Sequence, residues 1–345
     1  MTDLSIILVN WNCIDFTEQC IASIGAVAHP FEYEVIVVDN ASADAPCRNL
    51  AERFPWVKII LSDENIGFGR ANNLAARHSA GRVLFFLNPD TLVLGDAIAL
   101  MLAELERDPQ AGAVGCRLLN PDRTLQMTSV QRFPTIANQL LAVDWLINRF
   151  PNLHLWGKHA LLRPKPNQVS VVDLVSGAAI MVRRNVFELV GGFNPEYFMY
   201  AEEVELCHAI RAAGWKTLHV SDAEITHFGG QSTKICEDGF AAITCRESTY
   251  HYFCRTRGES YALVYRTGLS LSALFRLSFL ILLSPFIATI GMPLKRKNAG
   301  RAFRKWLKIA RWSIGREPAV RGSSQTAAAS VPSGDNCAPV NSSRA

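Results

Sequence analysis

The segment MYAEEVELC, residues 199 to 207, carries three glutamates, Glu202, Glu203 and Glu205, within four positions. Adjacent residues on a helix point about 100° apart, so Glu202 and Glu203 cannot share one solvated stripe. At least one of these carboxylates is therefore expected to face something other than water. Acids in the first turn of a helix suit the helix dipole, whereas a carboxylate in a cleft can act as a general base. The segment alone leaves both interpretations open.

The composition indicates a globular protein with reduced thiols. The chain has 345 residues, of which 49% are hydrophobic, and this is enough for one large α/β domain with extensions. Its nine cysteines include no C-x-x-C pair, which argues against a disulfide framework or a zinc site. The first residues, MTDLSIILVNWN, lack a basic start and their apolar run breaks at Asn10, so they predict a β-strand instead of a signal peptide.

Short apolar runs alternate with helical patterns over roughly the first 115 residues. The runs are LSIILV, YEVIVV, WVKIIL and RVLFFL, and their composition is typical of strands covered on both faces. This βαβ series predicts a parallel sheet with right-handed crossovers. The helices are predicted at Phe16–Ile24, Ala45–Phe54, Gly69–His78 and Asp96–Arg107.

Each of these four runs is followed by polar or acidic residues. Open α/β sheets bind ligands at the carboxyl ends of their strands. A polar loop would explain one such instance, but four of four predict a cleft the size of a nucleotide. The residues at these strand ends include Asn10, Asp39, Asn40, Ser42, Asn65, Asn88 and Asp90.

The second half of the chain has a less regular pattern. From Arg117 to about Asn167 we expect a hairpin followed by an irregular segment. VSVVDLVSGAAIMV predicts a pair of strands with Gly177 between them. Further elements are predicted as a helix at Asn185–Val190, a helix from the acidic segment to Ala213, a strand at TLHV and a helix at Asp238–Arg257.

The C-terminal region combines apolar and basic residues. Eighteen residues from Leu277 to Leu294 carry no charge, and eight basic residues with no acid follow between Lys295 and Trp312. This favours a segment lying in the interface of an anionic membrane, with a buried helix of the globular domain as the alternative. The basic cluster adjoins an apolar run and not an aromatic platform, so no nucleic-acid partner is expected. Residues 316–345 are rich in Ser, Ala and Pro, which predicts a disordered tail.

Seven segments resemble, in order, the motifs of family 2 glycosyltransferases, especially the rhamnosyltransferase-like branch. They are SIILVNWN, EVIVVDNASAD, NIGFGRANNLA, LFFLNPDT, SGAAIMVRRNVFELVGGF, FMYAEEVELCHAIRAAGW and ITHFGGQST. The resemblance implies an α/β fold of GT-A type, with a Rossmann-like, mostly parallel sheet, helices on both faces and C-terminal membrane-associating helices. It predicts a glycosyltransferase domain at 1–257, divided into a nucleotide-sugar-binding half (1–115) and an acceptor and catalytic half (116–257). A membrane-associating segment would follow at 258–315, and the disordered tail at 316–345.

The resemblance also implies an activity. We expect inverting, metal-assisted transfer of a sugar, rhamnose in that branch, from a nucleotide-diphosphate sugar. The acceptor would be a glycan or a polyprenyl-linked molecule in bacterial cell-surface polysaccharide synthesis. The enzyme would act at the cytoplasmic face of the inner membrane, as a peripheral or monotopic protein. The alternative is a catalytically impaired module of the same fold that binds carbohydrate or nucleotide sugar, because Asn88 and Glu203 depart from the family pattern.

The donor-binding residues follow from the same motifs. Gly67 and Gly69 allow a close backbone approach, and the amides at the start of the following helix suit a diphosphate. Gly177 leaves space for the donor sugar. The full set implied by the resemblance is Asn10, Asp39, Asn40, Ser42, Asn65, Gly67, Gly69, Asn72, Asn88 and Gly177.

The resemblance places the metal at NPD, where the family has a D-x-D motif. Asn88 replaces the first acid and leaves Asp90 as the ligand, with His227 of ITHFGGQS as a further metal or diphosphate contact. One acid is sufficient for Mg²⁺ or Mn²⁺ when phosphate oxygens and water fill the shell.

The resemblance also answers the question raised by the acidic segment. The family's base is the second acid of an E-D pair, which corresponds to Glu203 here, with Glu202 as its support. Glutamate in place of aspartate moves the carboxylate by about one methylene group. Glu205 is expected to anchor the helix or to pair with a basic residue.

Overall fold

The computed structural model describes residues 2–43, 47–141, 149–150, 168–230, 240–289 and 293–316, with the backbone alone at 48–49, 283–289 and 293–298. The irregular segment predicted before Asn167 and the tail predicted from Arg316 fall largely outside these residues. Within them, an α/β domain is followed by a pair of long helices.

The first half of the chain forms the predicted parallel sheet. Its strands are β1 (Leu4–Asn10), β2 (Tyr33–Asn40), β3 (Val57–Ser62) and β4 (Val83–Leu87), in the order β3-β2-β1-β4. Every residue of β1 and β4 is buried, as their unbroken apolar runs require. The intervening helices are α1 (Ile14–Gly25), α2 (Arg48–Arg53) and α3 (Phe68–Arg77), with α4 (Ala97–Arg107) after the short strand β5 (Thr91–Val93).

The second half turns the sheet into a mixed one. It adds β6 (Ala111–Leu119), β7 (Val130–Gln131), β8 (Val169–Val172), β9 (Leu174–Val175), β10 (Ala179–Arg183) and β11 (Lys216–His227). β10 lies antiparallel between β4 and β6, and β5 and β8 are antiparallel to β11. The prediction of a mostly parallel sheet is therefore wrong, because an apolar run reads the same for either strand direction.

Strands lie on both sides of Gly177, as predicted, but they do not pair with each other. β8 pairs with β11, β9 pairs with β7, and β10 pairs with β4 and β6, so the three strands of this segment have different partners. The segment thus contributes strands at three different places, and Gly177 lies just before β10 at the edge where β4 ends.

The remaining helices match the predictions only in part: those at 184–189, 202–212 and 240–257 lie where helices are predicted, whereas the helix at 136–141 and the unbroken helix at 259–289 are not predicted from the sequence. The helices are α5 (Ile136–Leu141), α6 (Arg184–Leu189), α7 (Glu202–Ala212), α8 (Phe240–Arg257), α9 (Glu259–Thr289) and α10 (Pro293–Ser313). None of the helices within the described ranges combines the length and the apolar character that crossing a membrane requires.

Two hydrophobic cores cover the two faces of the sheet. Successive residues of β1 point to opposite faces of the sheet, so Ile7 belongs to one core and Ile6 to the other. The Ile6 core includes residues of α1, α2 and α4, and the Ile7 core includes residues of α3, α6, α7, α8 and α9. This sandwich fixes the carboxyl ends of β1, β2 and β4 side by side.

Candidate active site

The ends of β1 and β2 are joined by a buried polar cluster. Asn10 is opposite Asp39 in the strand register, and its Nδ2 donates to Asp39 Oδ1 at 3.2 Å and to Ser42 Oγ at 3.0 Å. Thr17 of α1 donates to Asn10 Oδ1 at 2.8 Å. Asn10 is fully buried and Asp39 is 9% exposed. Asn10 therefore holds Asp39 and Ser42 in place, and the nucleotide contact expected of it stays a prediction.

The loop between β3 and α3 is tied to the end of β2. Asn40 Nδ2 donates to Asn65 Oδ1 at 2.8 Å, and Asn65 Oδ1 also accepts from the backbone N–H of Gly67 at 3.0 Å. Gly67 has φ of 85°, and a Cβ there would lie 2.6 Å from the carbonyl oxygen of Phe198. Only glycine fits this position, so the loop is held against the segment that precedes the acid pair.

The NPD turn after β4 faces the end of β11. His227 Nε2 lies 3.3 Å from Asp90 Oδ1 and 3.4 Å from Asn88 Nδ2. Asp90 is 5% exposed, and Asn88 Oδ1 is buried without a hydrogen-bond partner among the described residues. His227 Nδ1 lies 2.8 Å from Gln126 Oε1, which fixes the orientation of the ring. Sequence reasoning missed Gln126, because nothing in its loop distinguishes it from other polar residues.

Asn88, Asp90 and His227 form a donor set that fits a divalent cation. No three His, Cys, Asp or Glu side chains gather at metal-binding distance within the described part of the chain. The unpartnered amide oxygen of Asn88 does lie beside the Asp90–His227 pair, however, and amide oxygens are good ligands for hard cations. Two or three protein ligands are sufficient for a cation that also binds diphosphate and water.

The acid pair adjoins this turn through Gly177. The backbone N–H of Asn88 donates to the carbonyl of Ala178 at 2.8 Å, which places Gly177 at the end of β4. A Cβ at Gly177 would lie 3.2 Å from Cβ and 3.4 Å from Cδ of Glu203. The carboxyl group of Glu203 thus packs on the glycine next to the proposed cation site. A Cβ at Gly69, at the start of α3, would similarly approach Cβ of Glu202 to 3.7 Å.

The backbone before the acid pair is in a rare conformation. Tyr200 and Ala201 have φ of 69° and 64°, a left-handed region that non-glycine residues seldom adopt. Two such residues in succession turn the chain into α7 so that Glu202 is 6% exposed instead of solvated. Strain of this kind is retained where the surrounding structure over-determines it, often at functional sites.

Desolvation raises the pKa of both carboxyl groups. Desolvation, reinforced by the charge of Glu203, raises the pKa of Glu202 well above its ordinary value. Desolvation also raises the pKa of Glu203, against hydrogen bonds from the backbone at the start of α7. Glu202 Oε2 has no hydrogen-bond partner among the described residues. A simple solvated helix start does not explain this pair.

Glu205 has the anchoring position expected from the sequence. It accepts from Arg255 Nε of α8 at 2.8 Å and from Asn194 Nδ2 at 3.1 Å. The loop before α7 is also tied to α8, because Ser248 Oγ donates to the carbonyl of Met199 at 2.9 Å. These contacts fix the start of α7 against α8.

Asn72 is a further residue of the expected donor set that is buried, as Asn10 is. Asn72 is 1% exposed, and its Nδ2 donates to the carbonyl of Phe68 in its own helix at 3.0 Å. The expectation that Asn72 faces the ligand came from its spacing after Gly69, and the inward side of α3 accounts for the difference.

A separate cavity of about 320 Å³ lies at the opposite end of the sheet, where β4 begins. Its arginines are occupied by neighbouring groups: Arg184 donates to the carbonyls of Gly81 and Ala76, and Arg82 pairs with Asp3. This cavity is therefore structural and takes no part in the site above.

A solved structure shows the fold. The chain superimposes on a mannosyltransferase from Pyrobaculum calidifontis, solved with GDP-Man and Mn²⁺, with a TM-score of 0.55 and 18% identity over 92% of this chain and 90% of that one. The fold is thus of GT-A type, a mixed α/β sheet with helices on both faces.

The chain belongs to glycosyl transferase family 2, whose model matches residues 5–189. It is 28% identical to the N-acetylglucosaminyl-diphospho-decaprenol L-rhamnosyltransferase of Mycobacterium tuberculosis over 68% of this chain and 78% of that protein. It is also 24% identical to the rhamnosyltransferase WbbL of Escherichia coli over 73% of this chain and 93% of that protein. The family and the enzyme class predicted from the sequence are confirmed.

Proposed function

We propose that this protein transfers rhamnose from a nucleotide-diphosphate sugar, with inversion at the anomeric carbon, to a lipid-linked acceptor in cell-surface glycan synthesis. The observation that carries the reaction is the packing of Glu203 on Gly177, beside the turn that bears Asn88 and Asp90. It brings a carboxyl group with a raised pKa next to the strand ends that bind ligands in α/β folds.

Glu203 is the proposed general base. In a direct displacement, the acceptor hydroxyl oxygen bonds to the anomeric carbon while the bond from that carbon to the diphosphate oxygen breaks. Glu203 takes the hydroxyl proton, and the electron pair leaves with the nucleoside diphosphate. A carboxylate whose pKa is raised by burial is a stronger base than a solvated one, which favours this proton transfer.

Glu202 is the proposed support of that base. It is adjacent to Glu203, more deeply buried, and its own pKa is raised partly by the charge of Glu203. Glu202 is buried and Glu203 is half-buried, and two neighbouring carboxyl groups in such surroundings resist simultaneous ionisation. The deeper burial of Glu202 favours its protonated form while Glu203 works as the carboxylate.

The donor is proposed to lie across the ends of β1, β2 and β4. Asp39 and Ser42, positioned by Asn10, are suited to the nucleoside, and the backbone amides after Gly67 are suited to the diphosphate. Asp90, His227 and Asn88 would hold a divalent cation such as Mg²⁺ or Mn²⁺. When bound, such a cation stabilises negative charge on the departing diphosphate.

The sugar and the acceptor are proposed from the relatives. Two of them are rhamnosyltransferases, and the name of one specifies a diphospho-decaprenol acceptor. An acceptor of this kind would bring the enzyme to the cytoplasmic face of the inner membrane. The domain limits predicted from the sequence, with the transferase at 1–257, remain part of this proposal.

A panel of nucleotide sugars tests the function. The purified full-length protein, Mg²⁺ or Mn²⁺ and a short-chain N-acetylglucosaminyl-diphospho-polyprenol are incubated with each donor, and release of nucleoside diphosphate is measured. Release that depends on the acceptor and is fastest with deoxythymidine-diphosphate rhamnose is expected, with NMR showing an inverted anomeric configuration in the product. Acceptor-dependent release from another nucleotide sugar would show that the donor is not a rhamnose nucleotide. A product with retained anomeric configuration would contradict the direct displacement. No release from any donor would favour the catalytically impaired binding module.

A further inference from the structure

The helices α9 and α10 form an antiparallel hairpin. Arg266 near the start of α9 donates to the carbonyl of Ser313 at the end of α10 at 2.9 Å, and Ser270 Oγ lies 2.7 Å from Ser313 Oγ. Further along, the guanidinium of Arg276 lies 4.2 Å from the ring centroid of Trp306. The hairpin has its own small core of Ala273, Leu277, Ile309 and Ala310.

One side of α9 is apolar, and no other part of the chain that the structure describes covers it. Residues 262, 265, 269, 273 and 277 are buried at helical spacing, which defines the inner side. Six large apolar residues on the outer side are 54% to 73% exposed, a concentration that single surface hydrophobics do not produce. We call this the outer face of α9; it comprises Leu271, Leu274, Phe275, Phe279, Ile281 and Leu282.

The charges of the hairpin complement an anionic surface. Arg276 is the one charged residue between positions 267 and 289, and its stacking on Trp306 turns it away from the outer face. α10 contains eight basic residues and no acid, and Arg301, Arg304, Lys305 and Arg311 have exposed side chains. Self-association of this face in a twofold dimer would bring like charges together.

The hairpin also contacts the helix that borders the acid pair. Ala242 of α8 packs on the small core of the hairpin, and the Arg246 guanidinium lies 5.6 Å from the Trp306 ring. On the same helix, Ser248 Oγ donates to the carbonyl of Met199, three residues before Glu202, at 2.9 Å. The outer face and the proposed base are thus connected through one helix, α8.

We propose that the outer face of α9 inserts into the headgroup region of an anionic phospholipid bilayer, with the basic side chains of α10 bound to lipid phosphates. The hairpin then lies in the plane of the membrane and holds α8 and the acid pair near the surface. An acceptor whose lipid remains in the bilayer would reach Glu203 from that side, a consequence that rests on the proposed function. The docking itself stands on the exposed apolar and basic residues alone.

Cosedimentation of the full-length protein with vesicles tests the docking. Vesicles of phosphatidylcholine with about 30 mol% phosphatidylglycerol are compared with pure phosphatidylcholine at low and high salt. Wild-type protein is expected to bind the anionic vesicles and to be partly released by salt. The double substitution Phe275→Glu/Leu282→Glu should weaken binding about tenfold or more, because it places charges in the inserted face. Arg301→Gln/Arg311→Gln should weaken it about fivefold for each charge removed at low salt.

Leu189→Glu is the matched control. Leu189 is 66% exposed on α6, outside the hairpin, so the same change there should leave vesicle binding unaltered. Absence of wild-type binding, or an equal loss in Leu189→Glu, would overturn the proposal. A dimer of the wild-type protein in analytical ultracentrifugation would also overturn it, if Phe275→Glu/Leu282→Glu dissociated the dimer and left vesicle binding unchanged. A second copy of the chain would then cover the outer face of α9.

A transfer assay separates this proposal from the proposed function. With a water-soluble acceptor, the Phe275→Glu/Leu282→Glu variant should retain the wild-type rate of nucleoside diphosphate release, and with a vesicle-bound acceptor it should be slower. Vesicle binding by a wild-type protein that transfers no sugar would leave the docking intact and reject the reaction. Circular dichroism confirms that each variant is folded.

Discussion

Nε2 of His227, at the end of β11, lies 3.3 Å from Oδ1 of Asp90, in the turn after β4. The family resemblance suggested a metal site here, and the strand order explains how such distant residues meet. β5, which follows Asp90 directly, pairs with the end of β11, so Thr91 is opposite His227 in the register. Because Asn88 stands where the family has a second acid, Asp90 is the only carboxylate among the three residues of this candidate cation site.

The first prediction concerns that missing acid. Asn88→Asp should increase the affinity for Mn²⁺ in the absence of nucleotide by about tenfold, because affinity rises with the number of charged ligands. Titration followed by the electron paramagnetic resonance of free Mn²⁺ measures it. Asn185→Asp, an exposed substitution on α6, is the control for added surface charge. Equal affinities in wild type and Asn88→Asp would mean that the cation does not bind at this turn.

The second prediction concerns the space that Gly177 leaves for Glu203. Gly177→Ala would place a Cβ 3.2 Å from Glu203 Cβ, so the glutamate must shift by a few tenths of an ångström. We expect kcat to fall by about tenfold or more with little change in Tm, since a small misplacement of a reacting group has a large kinetic effect. Gly300→Ala, which meets nothing closer than 4.0 Å, should leave kcat unaltered. A normal kcat in Gly177→Ala would argue against Glu203 as a reacting group.

The third prediction follows from the buried carboxyl group of Glu202. Its folded-state pKa lies above the ordinary value of about 4.3, so between those two values the folded protein keeps a proton that the unfolded chain has lost. The stabilisation is complete below the ordinary pKa and is lost as the pH rises through the folded pKa. Wild-type Tm should therefore fall relative to that of Glu202→Gln as the pH rises above about 4.3 towards the folded-state pKa of Glu202, by about 1–2 °C for each kcal/mol lost.

Parallel thermal unfolding scans of both proteins across this pH range measure the difference. Groups other than the acid pair titrate alike in the two proteins, so the difference reports on Glu202 and its interaction with Glu203. A constant difference in Tm across the range would show that Glu202 titrates as an ordinary surface glutamate.

The first half of the fold was predictable because its apolar runs are regular. β1, β2 and β4 are largely buried on both faces, whereas β3 is an edge strand whose residues are mostly half-buried or exposed. Each of the four runs is followed by a polar residue at the edge of the sheet. The direction of β10 was not predictable, because AIMV has the same composition whichever way it runs and its neighbours come from distant parts of the chain. Only the tertiary structure determines that it lies between β4 and β6.

The candidate site was predictable in its residue types but not in its internal contacts. The cluster at Glu202 and Glu203 could be recognised as unusual from charge and spacing, and the burial of Glu202 agrees with the expectation that at least one of these carboxylates does not face water. The donation of Asn72 into its own helix and the contact of Gln126 with His227 depend on side-chain geometry, which spacing does not encode. Asn10 lies at the end of β1, as predicted, but its complete burial and its hydrogen bonds to Asp39 and Ser42 could not be inferred from spacing.

Single-turnover transfer by Glu203→Gln tests the central claim most directly. This substitution keeps the shape of the side chain and removes its ability to accept a proton, so transfer should slow by about 10²- to 10⁴-fold while donor affinity is unchanged. Glu196→Gln, an exposed carboxylate that pairs with Arg255, should transfer at the wild-type rate. Wild-type transfer by Glu203→Gln at saturating donor would contradict the assignment of the base and the site built around it.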